Sequence, residues 1–186
     1  MNTRKTHVCQ PVQQEKKRFL RHFLPDMVYG ANDGLITTFA IVAGVTGAGL
    51  SATVVLILGF SSLLADGFSM ATSNYLAERT PVGDESQTAR SHAARHAMVT
   101  FFGFVVPGIV PLLAYFLPVA GEHRFAFAAG MTLLMLFVIG VGRGMATGLP
   151  AARAGLEMLV VGALAAAVAY GVGALGALLV DGGVAL

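Results

Sequence analysis

The feature that most constrains this chain is the spacing of its charges. Between Asp33 and Glu78 the only Asp, Glu, Lys or Arg is Asp66, and none occurs between Arg95 and Glu122, Arg124 and Arg143, or Glu157 and Asp181. Uncharged apolar runs of this length match the ~20 residues that a helix needs to cross a bilayer. They are too long for strands and lack the alternation of a membrane barrel. Composition agrees: 55% of the 186 residues are hydrophobic and 12% charged, against about 25% charged in a soluble domain. The expected fold class is all-α, a polytopic membrane protein with five transmembrane helices over roughly residues 28–50, 52–76, 97–118, 125–142 and 154–180. This layout divides the chain into an N-terminal segment, 1–26, a transmembrane domain, 27–180, and a short loop, 80–96.

Charge also sets the expected orientation. Arg4, Lys5, Lys16, Lys17, Arg18 and Arg21 precede the first span, Arg79, Arg90 and Arg95 lie between the second and third, and Arg143 and Arg153 bracket the turn between the fourth and fifth. In a five-span protein these regions share one side, and only Arg124 faces the other. The positive-inside rule makes the N-terminus cytoplasmic and the C-terminus external. The net charge of +2 needs no nucleic acid as partner. Residues 1–26 have no continuous apolar core, so they do not read as a cleavable signal peptide. Residues 12–24 read instead as an amphipathic helix in the headgroup layer, with Val12, Phe19, Leu20, Phe23 and Leu24 on its apolar face. Pro25 is expected to end it. The single cysteine, Cys9, permits no internal disulfide. A compact chain without targeting segments fits a bacterial inner membrane.

Acids inside a membrane span are costly and mark a pathway or site. Asp33, Asp66 and Glu157 qualify. Counted from the cytoplasmic ends of their spans, Asp33 and Met70 lie ~9 Å deep and Asp66 ~15 Å deep at 1.5 Å per residue. Glu157 sits only a turn into the fifth span. Ser62, Asp66, Met70 and Ser73 recur at helical spacing on one face of the second helix, and Thr37 stacks on Asp33. Such a face is unsuited to lipid and should line a cavity or point into the protein. Carboxylates bind divalent cations and protons alike, and a thioether shifts preference toward transition metals. The set therefore points to ferrous or manganous ions that exchange with protons. The bland reading of Met70 is core filling, and that of Glu157 is a helix cap or a pair with Arg153. Asn32, Asp33 and Gly34 are poor helix residues, so irregular backbone is expected there. Pro107, Pro111 and Pro118 predict bends in the third span.

The stretches YGANDGLITTFAIVAGVTGAGLS and LILGFSSLLADGFSMATSNYLAER resemble the vacuolar iron transporter family. So do VPGIVPLLAYFLP, LFVIGVGRGMATG and AGLEMLVVGALAAAVAYGVG, and together they cover roughly residues 26–180. The resemblance implies five spans, a homodimer, and a pore near the dimer axis formed by the first two helices. It also implies proton-coupled export of ferrous or other divalent metal from the cytoplasm. The family's aspartate of the first helix falls on Asp33, and the methionine of its Ser-Met pair on Met70. Two departures stand out. Studied members carry a glutamate-rich, metal-binding insertion between the second and third spans, where this chain has only TPVGDESQTARSHAARH, with Asp84, Glu85, His92 and His96 as candidate ligands. Some members also have a glutamate where this chain has Ser62, with its acid at Asp66 instead.

The reading is a dimeric metal transporter without a cofactor, its substrate being ferrous or manganous ion. Asp33, Asp66 and Met70 are its principal ligands, and Glu157 and Glu78 secondary ones that serve entry. Two alternatives stay open: a passive metal channel using the same residues, and a non-transporting membrane subunit or scaffold. No nucleophile–base pair or phosphate-binding glycine loop points to an enzyme.

Overall fold

The computed structural model describes residues 10–79, 87–117 and 123–182, with residues 10–22 as backbone only. These form helices α1 (Gln10–Gly47), α2 (Ala52–Arg79), α3 (Gln87–Gly108), α4 (Val110–Leu113), α5 (Arg124–Thr147) and α6 (Ala151–Gly182). Among the described residues five segments are long and apolar enough to cross a membrane: Phe23–Gly47, Ala52–Arg79, Arg90–Leu113, Arg124–Thr147 and Ala151–Val180. The chain is an all-helical, multi-pass membrane protein.

Helix α1 is the central span. Half of its apolar window is buried, against 17% for α6, and Leu35, Thr38, Phe39, Val42 and Ala43 are enclosed. It packs against α2, α3, α5 and α6. Phe39 and Val42 join Val55 and Leu63 of α2 with Phe104 and Leu112 in the main core. Leu35 joins Leu136 and Met158 in a second one. Contacts between successive turns show α3 running parallel to α1: Gly30 meets the backbone at Thr100–Phe104, and Gly34 the carbonyl of Phe104. In α6, Ala169 to Gly173 pass Gly44 and Gly47 of α1. Antiparallel α2 places Gly59 on Leu112 and Gly67 on Val105 and Phe101. Lipid tails are as apolar as leucine, so helices in a bilayer gain from close backbone approach rather than from hydrophobic burial. Glycine at the crossings permits that approach.

Three expectations are corrected. Helix α1 runs through Pro25. Proline removes one intrahelical bond and crowds one carbonyl, which did not suffice to end the helix. Phe23, expected on a face in the headgroup layer, is buried with its ring 4.5 Å from that of His96. Nor is the backbone irregular at Asn32–Gly34, which is continuous helix. Gly34 is small because α3 crosses there: a methyl group at this position would overlap the Phe104 carbonyl. The side chains of Val12, Phe19 and Leu20 lie outside the described residues, as do Asp84, Glu85 and Pro118.

The third span is interrupted between its prolines, with Ile109 kept in helical conformation. Helix stops at Gly108 and resumes at Val110, around Ile109. Ile109 still donates to the Val105 carbonyl at 3.1 Å and accepts from Leu113 at 3.1 Å. Pro107 and Pro111 have no N–H to give, so the ladder is interrupted on both sides of that residue.

Candidate functional site

The i, i+4 spacings read from the sequence become hydrogen bonds. Thr37 donates its hydroxyl to Asp33 Oδ1 at 3.3 Å, and Ser62 donates to Asp66 Oδ2 at 2.6 Å. Both carboxylates are half-buried, and the helices that carry them pack against each other. Met70 is half-buried one turn beyond Asp66 and packs beside the main core. α1 thus carries a carboxylate with its hydroxyl, and α2 a carboxylate, a hydroxyl and a thioether at helical spacing. Among the described residues no Lys, Arg or His pairs with either carboxylate. Two carboxyl groups at membrane depth with hydroxyls as their hydrogen-bond partners are costly in that position.

Glu157 and Glu78 are placed elsewhere. Both oxygens of Glu157 are engaged: Arg143 Nη2 donates to Oε2 at 3.1 Å and Arg153 Nε to Oε1 at 3.2 Å. Arg143 belongs to α5, so this carboxylate ties the α5–α6 hairpin at its tight turn, where Gly148 is left-handed (φ 78°). Arg143 and Thr147 also line a cavity of about 380 Å³ with Leu24, Tyr29, Asn32 and Met158. Glu78 stands two turns beyond Met70, with its Oε2 3.8 Å from His92 Nδ1.

One residue that matters went unnoticed in the sequence. Asp26, at the start of the first span, accepts from Asn74 Nδ2 on Oδ1 (3.3 Å) and from His96 Nδ1 on Oδ2 (2.5 Å). Asn74 also donates to Thr100 Oγ1, which donates to the His96 carbonyl. Asp26, Asn74 and His96 thereby join α1, α2 and α3 at one end of the bundle. The available signal was topological: the ends of spans that hold these residues must meet if the helices alternate in direction.

Comparison with known proteins places this architecture. The profile of the VIT family matches residues 24–85 and 82–174, two pieces that meet in the connection between α2 and α3. The chain is similar to a vacuolar iron transporter of Toxoplasma gondii, 28% identical over 82% of this chain and 74% of that protein. It is similar to vacuolar iron transporter 1 of Oryza sativa subsp. japonica, 24% identical over 81% of this chain and 86% of that protein. To vacuolar iron transporter homolog 1 of the same rice it is 30% identical, over 78% of this chain and 70% of that protein. The Toxoplasma alignment runs over 223 positions, more than the 186 residues here, so that relative carries segments this chain lacks. With the family profile matched on both sides of the α2–α3 connection and the five apolar helices in place, the chain belongs to the VIT family.

Proposed function

We propose that this protein moves a divalent transition metal, ferrous or manganous ion, out of the cytoplasm in exchange for protons. The observation that carries the reading is the uncompensated pair Asp33 and Asp66 on a half-exposed face inside the membrane. A divalent cation neutralises two carboxylates, and so do two protons. Either cargo satisfies the face, and neither can leave cheaply unless the other arrives. That is the electrostatic basis of exchange. Met70 adds a soft donor that favours transition ions over magnesium and calcium. The names of the relatives support iron as cargo.

A half-exposed carboxylate face cannot stand against lipid. A second copy of the chain, placing its own α1 and α2 opposite, would enclose a polar path between the two, so the working unit is taken as a homodimer. The 11 Lys and Arg residues at one end, of 12 in all, set that end in the cytoplasm, whether the membrane is a bacterial inner membrane or a vacuolar one. Glu157, held by two arginines, serves this reading as a structural tie rather than a ligand.

The test is reconstitution in liposomes with a metal-sensitive dye inside, following ferrous and manganous ion uptake with and without a pH gradient. Uptake that depends on the gradient and disappears in Asp33→Ala supports exchange at this face. Gradient-independent uptake would make the protein a channel. No uptake by folded protein would make it a non-transporting subunit. A mass measurement in detergent that reads one copy would remove the dimer.

A further inference from the structure

We propose that Glu78, His92 and His96 form a second divalent transition-metal site, at the basic end of the bundle and apart from the carboxylate face. One nitrogen of each imidazole and one oxygen of Glu78 all lie within 4.8 Å of one another. Tetrahedral bonds of about 2.0–2.2 Å put ligand atoms about 3.4 Å apart on one metal. Rotation of the exposed His92 and Glu78 side chains, by about 1–1.5 Å at their ligand atoms, would close the difference.

The fold assembles this set from two antiparallel helices. His92 and His96 are spaced i, i+4 on α3, which brings their rings to one side, tilted at 46° with centroids 4.8 Å apart. Glu78 reaches them from the last turns of α2. Exposure is graded: the side chains of His92 and Glu78 are 50% and 39% exposed, and that of His96 only 7%. The cluster thus has one anchored ligand at its base and two at a mouth open to water.

His96 is prepared for the task. The bond to Asp26 Oδ2 engages the Nδ1 side of the ring, so Nε2 is the nitrogen that His96 would offer to an ion. Asp26 is itself held by Asn74. A carboxylate behind the far nitrogen of an imidazole is the device that orients metal-binding histidines and raises their basicity. A structural histidine would need the Asp26 bond alone. It would not need a second imidazole and a carboxylate gathered on its outer side.

Two imidazoles and one carboxylate select ferrous, cobaltous or zinc ions over magnesium and calcium. Three protein ligands leave coordination positions open, so the ion is held exchangeably. Glu78 lies eight residues beyond Met70 on the same helix, ~12 Å along its axis. An ion held here stands at the approach to the carboxylate face. The binding itself does not depend on the transport reading.

The test uses purified full-length protein carrying Asp33→Asn and Asp66→Asn, which removes the competing face. It is titrated with cobalt(II) and followed by ligand-field absorption and by calorimetry. The expected result is one equivalent per chain, undisturbed by tenfold excess magnesium. Either His92→Ala or Glu78→Gln should weaken binding at least tenfold; both residues are exposed, so these variants keep the wild-type melting profile. Asp26→Asn should weaken it about 10–100-fold, acting through His96. Cobalt affinity and absorption unchanged by both His92→Ala and Glu78→Gln overturns the site. So does absence of binding in folded protein, or displacement by magnesium. Transport failing in liposomes leaves this titration as it is, so the two readings fail separately.

Discussion

Gly34 of α1 and Phe104 of α3 touch backbone to backbone, and the Phe104 carbonyl occupies the space where any other residue at position 34 would place its Cβ. This contact adjoins Asp33 in sequence, so the closeness of α1 and α3 also fixes where the first carboxylate stands. Gly34→Ala should therefore act twice. Overpacking of this kind costs about 1–3 kcal/mol, and it should appear as a lower melting temperature in detergent. Uptake in liposomes should fall as well, because Asp33 is displaced with its helix. Wild-type melting in Gly34→Ala would show that the helices separate without cost there.

Asp66→Asn keeps the shape of the side chain and its bond from Ser62 while removing the charge. If the face holds cation and proton in turn, uptake should drop at least tenfold with melting unchanged. Ser62→Ala, which removes only one net hydrogen bond of about 1 kcal/mol, should lower uptake by no more than severalfold. Equal losses in the two variants would mean that the hydroxyl, not the charge, is the working group.

The sequence made these pairs legible because a bilayer leaves few choices. Helix is obligatory at membrane depth, so spacing alone puts Thr37 on Asp33 and Ser62 on Asp66. What needed the tertiary fold was hidden for physical reasons. Nothing in the sequence joined His92 and His96 to Glu78, because Glu78 lies on another helix. Asp26 carried no motif. Gly34 was misread as a helix breaker because its purpose is the approach of α3, which local propensity cannot express. Pro25 was misread as a stop because a long helix can absorb one lost bond.

Asp26→Ala should loosen the end of the bundle where α1, α2 and α3 meet. His96 is buried there and Asn74 half-buried, and both lose their bond to Asp26 at once, while Asn74 keeps the one to Thr100. Leaving buried polar groups unsatisfied costs about 1–3 kcal/mol. The expected result is a lower melting temperature and faster proteolysis. Asn74→Ala should produce a smaller loss, since Asp26 then retains His96. A larger loss in Asn74→Ala would relocate the centre of the network to Asn74.

Glu157→Gln separates structural tie from ligand. Its arginine pairs are partly exposed, and pairs of that kind contribute at most about 1 kcal/mol. Stability should change little, and metal uptake should stay within about twofold of wild type while Asp33→Ala abolishes it. A collapse of uptake in folded Glu157→Gln would return this residue to the metal path.

Met70 is where core filling and ligation predict different things. It packs beside the main core, and a Met-to-Leu exchange conserves volume closely enough to cost under about 1.5 kcal/mol. Leucine has no sulfur lone pair. If Met70 only fills space, Met70→Leu should melt and transport as wild type does. If its thioether reaches the ion, Met70→Leu should melt normally but lose roughly tenfold in ferrous ion uptake. Competition by magnesium should rise at the same time, because the face then offers oxygen ligands alone. Uptake at several magnesium concentrations reads both effects, and a change in selectivity without a change in stability is the outcome that packing cannot produce.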